Sequence, residues 1–182
     1  ALITGKPLAL MLPQDKETAL KDLGIDEIFT LDFEKVRSQS PEDFLRLLTD
    51  KFSPGLISCG FNYRFGKNAA GDKNLLECFC KAHGISLKCS EPVTENGETV
   101  SSTEIRHFLQ NGETEKANRL LYKPFSYTAE VISGDKRGRT LGFPTVNQRY
   151  PHCLLPPKFG VYVSRVTVNG REYDGITDIG VR

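Results

Sequence analysis

Up to about residue 122, helical and strand-like segments alternate along this chain, and few folds accept that order. Asp15–Leu23 reads as a short helix closed by Gly24. Glu27–Leu31 (EIFTL) is a strand candidate. Ser40 is a suitable N-cap, Pro41 fits a first helical turn, and Glu42 and Asp43 suit the positive end of the helix dipole. Phe44, Leu47 and Leu48 supply the apolar stripe of that helix. Leu56–Gly60 (LISCG) has the unbroken apolar character of a buried parallel strand. A helix from about Asp72 to His83, ended by Gly84, leads to another strand, Ile85–Cys89. Strand, helix, strand in this order predicts a parallel α/β sheet, which binds ligands at the carboxyl ends of its strands.

From about residue 125 the texture changes to Val, Ile, Tyr, Thr and Gly with almost no helical period. Ser126–Ser133 (SYTAEVIS) is a strand candidate, followed by a long loop, Gly134–Asn147. Two β-rich runs, Gly160–Val168 and Arg171–Ile179, flank Asn169-Gly170, a strong short-range hairpin signal. This half predicts an antiparallel sheet or small barrel. The chain begins at Ala1 rather than Met and stops in a strand-rich stretch, so the expectation is a fragment cut at both ends.

Composition narrows the classes. The 182 residues are 38% hydrophobic and 26% charged, an ordinary globular balance, and the formal net charge of +1 gives no general drive toward nucleic acid or membranes. No run approaches the ~18 apolar residues of a membrane span. Five cysteines include no C-x-x-C pair, and Cys78 and Cys80 would point about 200° apart on a helix, a poor shared metal site. Reduced thiols in the cytoplasm are the expectation. His83, His107 and His152 are scattered and read as surface residues.

Three stretches carry candidate chemistry. Gly60–Asp72 (GFNYRFGKNAAGD) follows a predicted strand, where Asn62 can both donate and accept, and Tyr63 and Phe65 could stack on a planar group. A turn-rich loop with core aromatics and Asp72 as a helix cap would explain the same residues. Val100–Gly112 opens a helix that Ser101 or Ser102 can cap, with Glu104 at capping-box spacing from Ser101. Its free N–H groups, Thr103 and Arg106 could cradle a polyphosphate, or the stretch is simply a capped helix. In Gly134–Asn147 (GDKRGRTLGFPTVN), Lys136, Arg137 and Arg139 lie among glycines, which can wrap phosphate. Pro144 stiffens the approach to Thr145 and Asn147, two oxygen donors that share a face on an extended strand and could hold Mg²⁺. A basic turn followed by a polar strand face is the plainer explanation.

Taken together and in this order, the three stretches resemble the bacterial bifunctional riboflavin kinase/FMN adenylyltransferase (FAD synthetase) family. GFNYRFG looks like the family's G-F-D/N-F-x-F-G segment, and SSTEIR like its S-S-T-x-I/V-R. GDKRGRTLGFPTVN looks like its kinase signature G-x-G-R-G-x-x-x-G-F-P-T-A-N, with Val146 in place of Ala. The segment from Phe159 onward is similar to the family's G-V-Y…N-I-G stretch, with Asp178 where Asn is usual. The likeness covers nearly the whole chain from about Asp15.

The resemblance implies an α/β nucleotidyltransferase domain with a Rossmann-like parallel sheet over residues 1–122. A small antiparallel β-barrel riboflavin kinase domain would follow over 123–182, both truncated. It implies ATP-dependent phosphorylation of riboflavin to FMN and adenylylation of FMN to FAD, with Mg²⁺ and no nucleic-acid or membrane partner. Asn62 would contact nucleotide or flavin. Ser102, Thr103 and Arg106 would hold ATP phosphates, Gly134 and Arg139 would touch ATP in the kinase site, and Thr145 and Asn147 would bind Mg²⁺. The family's H-x-G-H motif is absent, and its kinase base, a Glu, would fall beyond Arg182. No catalytic base is therefore expected within these residues, and the chain as given is expected to lack both activities while the full-length protein performs both. A nucleotidyltransferase for another substrate, such as a pantetheine-phosphate adenylyltransferase relative, and a flavin- or nucleotide-binding module without catalysis are the alternatives.

Overall fold

The computed structural model describes residues 9–134, 137–140, 142–143 and 145–180. Lys136 and Pro144, both singled out from the sequence, lie outside the described residues, as does the side chain of Arg137. The chain divides into two compact units, one of Ala1–Asp26 with Val100–Arg182 and one of Glu27–Thr99. Helix α1 (Pro13–Asp22) opens the first unit, with Pro13 in its first turn and Gly24 at φ 85° just beyond its end. It is the helix expected over Asp15–Leu23.

In the Glu27–Thr99 unit, the strand expected at Glu27–Leu31 does not form. β-propensity becomes a strand only where another strand satisfies the backbone. Among the described residues no ladder reaches this segment, and Phe29 packs instead on Phe52 at 4.7 Å. A one-turn helix α2 (Phe33–Val36), capped by Asp32, precedes α3 (Pro41–Phe52), where Ser40 Oγ accepts from the Asp43 N–H at 3.1 Å. Strand β1 (Leu56–Gly60) runs through an irregular loop to α4 (Lys73–Ala82), capped by Asp72 Oδ1 on the Leu75 N–H at 3.0 Å. From there the chain returns as β2 (Ser86–Ser90), parallel to β1 from Leu56↔Ser86 to Gly60↔Ser90. This is the parallel pairing the alternation predicts.

Burial differs from the expectation for LISCG. Ile57, Cys59 and Leu87 face a core of Leu45, Phe65, Leu76 and Cys80, but Leu56 is 55% exposed. A two-stranded sheet with its helices packed on one face leaves the alternate residues in solvent, so an apolar run need not mean burial on both faces. A tight hairpin, β3 (Thr94–Glu95) and β4 (Glu98–Thr99), turns at Asn96-Gly97, both with positive φ.

In the other unit, α5 (Ser102–Asn111) and α6 (Thr114–Leu120) bury Ile105, Leu109 and Ala117 with Leu155. The strand expected over Ser126–Ser133 shrinks to β5 (Val131–Ile132), whose ladder partner among the described residues is the equally short β6 (Asn147–Gln148). One helical turn, α7 (Arg137–Thr140), interrupts what the sequence presents as a continuous loop. The chain ends in a long antiparallel ribbon of β7 (Gly160–Val168) and β8 (Arg171–Ile179), with Asn169-Gly170 at the turn as expected. Among the described residues the β5–β6 and β7–β8 ribbons are separate two-stranded sheets.

Leu76 is 1% exposed at the centre of the first core. Leu76→Ala is expected to cost about 2–5 kcal/mol in urea unfolding. Leu56→Ala, on the open face of β1, should stay within about 0.5 kcal/mol. Equal costs would contradict the one-faced sheet.

Candidate functional site

The glycine-rich loop is closed at its base by β5 and β6, where Ile132 pairs with Asn147. That pairing lays the Asn147 side chain against Gly134, so closely that a Cβ on Gly134 would overlap the Asn147 amide. Further along, the Phe143 N–H donates to the Gly138 carbonyl at 2.8 Å, and the Gly142 N–H to that of Arg139 at 3.3 Å. A Cβ on Gly138 would run into the Phe143 carbonyl oxygen and reach Thr145 Cγ2 at 3.3 Å. Glycine at 138 is thus a steric requirement of the loop's closure, while a side chain at 134 would have to displace the Asn147 amide. The consequence is that Gly134 and Gly138 sit directly against Asn147 and Thr145. Arg139 and Thr145 are exposed and Asn147 is half-buried. Phe143 and Val146 also face solvent, so the loop presents apolar surface beside its oxygen donors.

At the start of α5, Ser101 is the cap: its Oγ accepts from the Glu104 N–H at 3.2 Å. This resolves the choice between Ser101 and Ser102. Ser102 and Thr103 are exposed in the first turn, while Ile105 and Leu109 anchor the opposite face in the core. Arg106 is half-buried one turn on from Thr103, on the same side of the helix. The hydroxyls and first-turn N–H groups are therefore grouped at the positive end of a helix dipole, with Arg106 one turn further along the same side.

The Gly60–Asp72 loop lies in the Glu27–Thr99 unit. Asn62 is exposed where the chain leaves β1. Phe65 does not fit its expected role as a stacking platform, since it is 5% exposed in the core with Leu45 and Leu76. Its ring is covered by Tyr63, stacked at 5.5 Å. Asp72 caps α4 and pairs with Arg64 at 3.6 Å. Burial pushes the Tyr63 hydroxyl above its usual range, so it stays protonated.

Two features had no sequence signal. Cys59 and Cys89 are register partners on β1 and β2, with sulfurs 3.6 Å apart. In the other unit, a groove of about 590 Å³ is lined by Leu12, Thr128, Glu130, Ile132, Tyr150 and His152. Tyr150 is fixed there by donating to the Leu155 carbonyl at 2.8 Å, and burial, then Tyr127, pushes its hydroxyl upward. Cys78 is exposed and Cys80 buried, which agrees with their opposed directions on α4. All three histidines are exposed. Among the described residues no group of three or more His, Cys, Asp or Glu could hold a metal ion, and no helix is long and apolar enough to cross a membrane.

The chain is similar to known proteins over most of its length. A family model described as FAD synthetase matches residues 2–104, and one described as riboflavin kinase matches residues 121–182. The chain is similar to the bifunctional riboflavin kinase/FMN adenylyltransferase of Bacillus subtilis (strain 168), 35% identical over 97% of the chain and 56% of the relative. It is 34% identical to that of Listeria monocytogenes, over 92% of the chain and 53% of the relative. Similarity to that of Escherichia coli (strain K12) is 30%, over 97% and 57%. The chain thus spans about half the length of the curated relatives it matches. Among solved structures, a crystal structure described as a macrolide-efflux protein from Streptococcus pneumoniae superposes with a TM-score of 0.85 at 28% identity, covering 95% of this chain and 56% of that one.

The closure of the glycine-rich loop is directly testable. Gly138→Ala should shift the backbone amide resonances of Phe143, Thr145 and Asn147, because the new methyl displaces the Phe143 carbonyl. Gly55→Ala, with nothing within 4 Å of the added carbon, should leave them in place. Unchanged resonances in Gly138→Ala would refute the closed loop.

Proposed function

Since the chain belongs to the FAD synthetase family over residues 2–104, we propose that the protein makes flavin nucleotides. It phosphorylates riboflavin to FMN with ATP, then adenylylates FMN to FAD with release of pyrophosphate. The observation that carries this reading is the closed loop in which Gly134 and Gly138 abut Asn147 and Thr145, inside the riboflavin kinase match. We assign residues 1–122 to a Rossmann-like adenylyltransferase part and 123–182 to a β-barrel kinase part. Substrates are small molecules, and the protein acts in the cytoplasm without nucleic-acid or membrane partners. The efflux description belongs to the structural neighbour; both family models and the curated relatives speak for flavin chemistry.

Neither reaction requires a protein nucleophile. Phosphoryl and nucleotidyl transfer depend on holding the reactants in line and offsetting charge. In the adenylyltransferase site, Ser102 and Thr103 bind ATP phosphates through hydroxyls and first-turn N–H groups. Arg106 offsets charge on the departing pyrophosphate, and Asn62 contacts nucleotide or flavin. In the kinase site, Gly134 lets the backbone approach ATP and Arg139 adds positive charge.

Thr145 and Asn147 supply two neutral, hard oxygen donors at one closed loop, which suits a Mg²⁺ that keeps waters and phosphate oxygens as its other ligands. When bound, Mg²⁺ neutralises charge on the ATP phosphates. The chain's part would be to supply those two donors beside the glycines: the Asn147 side-chain amide lies against Gly134, and the Thr145 methyl against Gly138.

Two substitutions separate the sites in a protein of the relatives' full length. Thr145→Val should lower riboflavin phosphorylation by about a hundredfold or more while adenylylation of supplied FMN continues; Arg106→Ala should do the reverse. Product chromatography after incubation with each substrate checks both. Loss of both activities in either folded variant would count against two separate sites.

A further inference from the structure

One pair of side chains does work that none of the assigned roles uses. Cys59 on β1 and Cys89 on β2 are direct register partners in the parallel sheet, and their sulfurs approach to 3.6 Å as free thiols. Both side chains are half-buried, so a small oxidant can reach them. Adjacent strands lie about 4.8 Å apart, within the ~4.4–6.8 Å Cα separation that a disulfide spans. Among the other described cysteines, Cys80 is buried in the core below, Cys78 is exposed on α4, and Cys153 is exposed in the other unit. The two facing sulfurs therefore have each other as the nearest reaction partner.

We infer that Cys59 and Cys89 form a reversible dithiol/disulfide couple, oxidised by a hydroperoxide, that fastens the carboxyl ends of β1 and β2 to each other. The thiolate of one cysteine attacks a peroxide oxygen, the O–O bond breaks, and a sulfenic acid and one molecule of water (an alcohol, from an organic peroxide) are formed. The second sulfur then displaces the sulfenic hydroxyl, which leaves as water with the remaining thiol proton. Two electrons pass from the sulfur pair to the peroxide. A thiol reductant reverses the bond by exchange through a mixed disulfide.

Geometry also indicates what the bond would restrain. Cys59 is followed by Gly60 and the Gly60–Asp72 loop, and the Cys89 strand ends at Ser90. A covalent tie at this level limits how far the two strand ends separate, and the loop that carries Asn62 starts from one of them. The couple itself does not depend on the flavin reading. Burial, followed by the contact with Cys89, raises the Cys59 thiol above its usual range, which keeps it protonated and makes oxidation slow.

Trypsin makes the test unambiguous. Cys59 falls in the peptide 52–64, Cys89 in 89–106, and Cys78 with Cys80 in 74–81. The whole chain is treated with hydrogen peroxide, remaining thiols are blocked with N-ethylmaleimide, and the digest is analysed by mass spectrometry with and without dithiothreitol. The expected result is a dithiothreitol-sensitive link between 52–64 and 89–106 within one chain, retained in Cys78→Ser and lost in Cys59→Ser and Cys89→Ser. Recovery of either cysteine as the blocked thiol or as a sulfinic acid would overturn the proposal. So would a dominant link from either one to 74–81, to the Cys153 peptide 150–158 or to a second chain. The measurement on the unsubstituted chain decides the matter even where a serine variant fails to fold.

Discussion

The pairing of Ile132 with Asn147 is the contact on which the glycine-rich loop depends. β5 and β6 are only two residues long, yet they bring together the ends of a segment that would otherwise wander. Once the ends meet, the Asn147 amide fills the space a side chain at 134 would need, and the Phe143 carbonyl does the same at 138. Gly134 then lies against the Asn147 side-chain amide and Gly138 against the Thr145 methyl. A phosphate site of the kind proposed needs close access to N–H groups and oxygen partners for a cation.

A second constraint shapes the Glu27–Thr99 unit. The parallel pairing of β1 with β2 requires a crossover, and α4 provides it, anchored by the Asp72 cap and by Leu76 and Cys80 in the core. The loop between β1 and α4 must therefore leave the strand's carboxyl end, which is where Asn62 stands. Phe65 and Tyr63 hold that loop down, the first by burial and the second by stacking upon it. Residues that looked like ligand contacts thus stabilise the platform instead, and Asn62 is left as the exposed polar group near the strand end.

Sequence reading succeeded where a local rule decides the outcome. The Asn169-Gly170 turn located both long strands, since two residues that accept positive φ join strands that tightly. Ser40 and Asp72 marked helix starts because a side-chain oxygen there satisfies an otherwise unpaired N–H. It failed where a distant partner decides. Glu27–Leu31 has strand composition but meets no strand. Leu56 belongs to an apolar run but is 55% exposed on the open face of β1. Phe65 sits in an irregular loop, where no periodicity reveals which way a ring points. The Cys59–Cys89 pair is set by strand register across 30 residues, and no local motif encodes it.

Flavin-nucleotide synthesis is the central claim, and its products are the most direct measure of it. A folded protein of the relatives' full length, incubated with riboflavin, ATP and Mg²⁺, should yield FMN first and then FAD, resolved by liquid chromatography with fluorescence detection. Riboflavin recovered unchanged, together with supplied FMN that is never converted to FAD, would contradict the account.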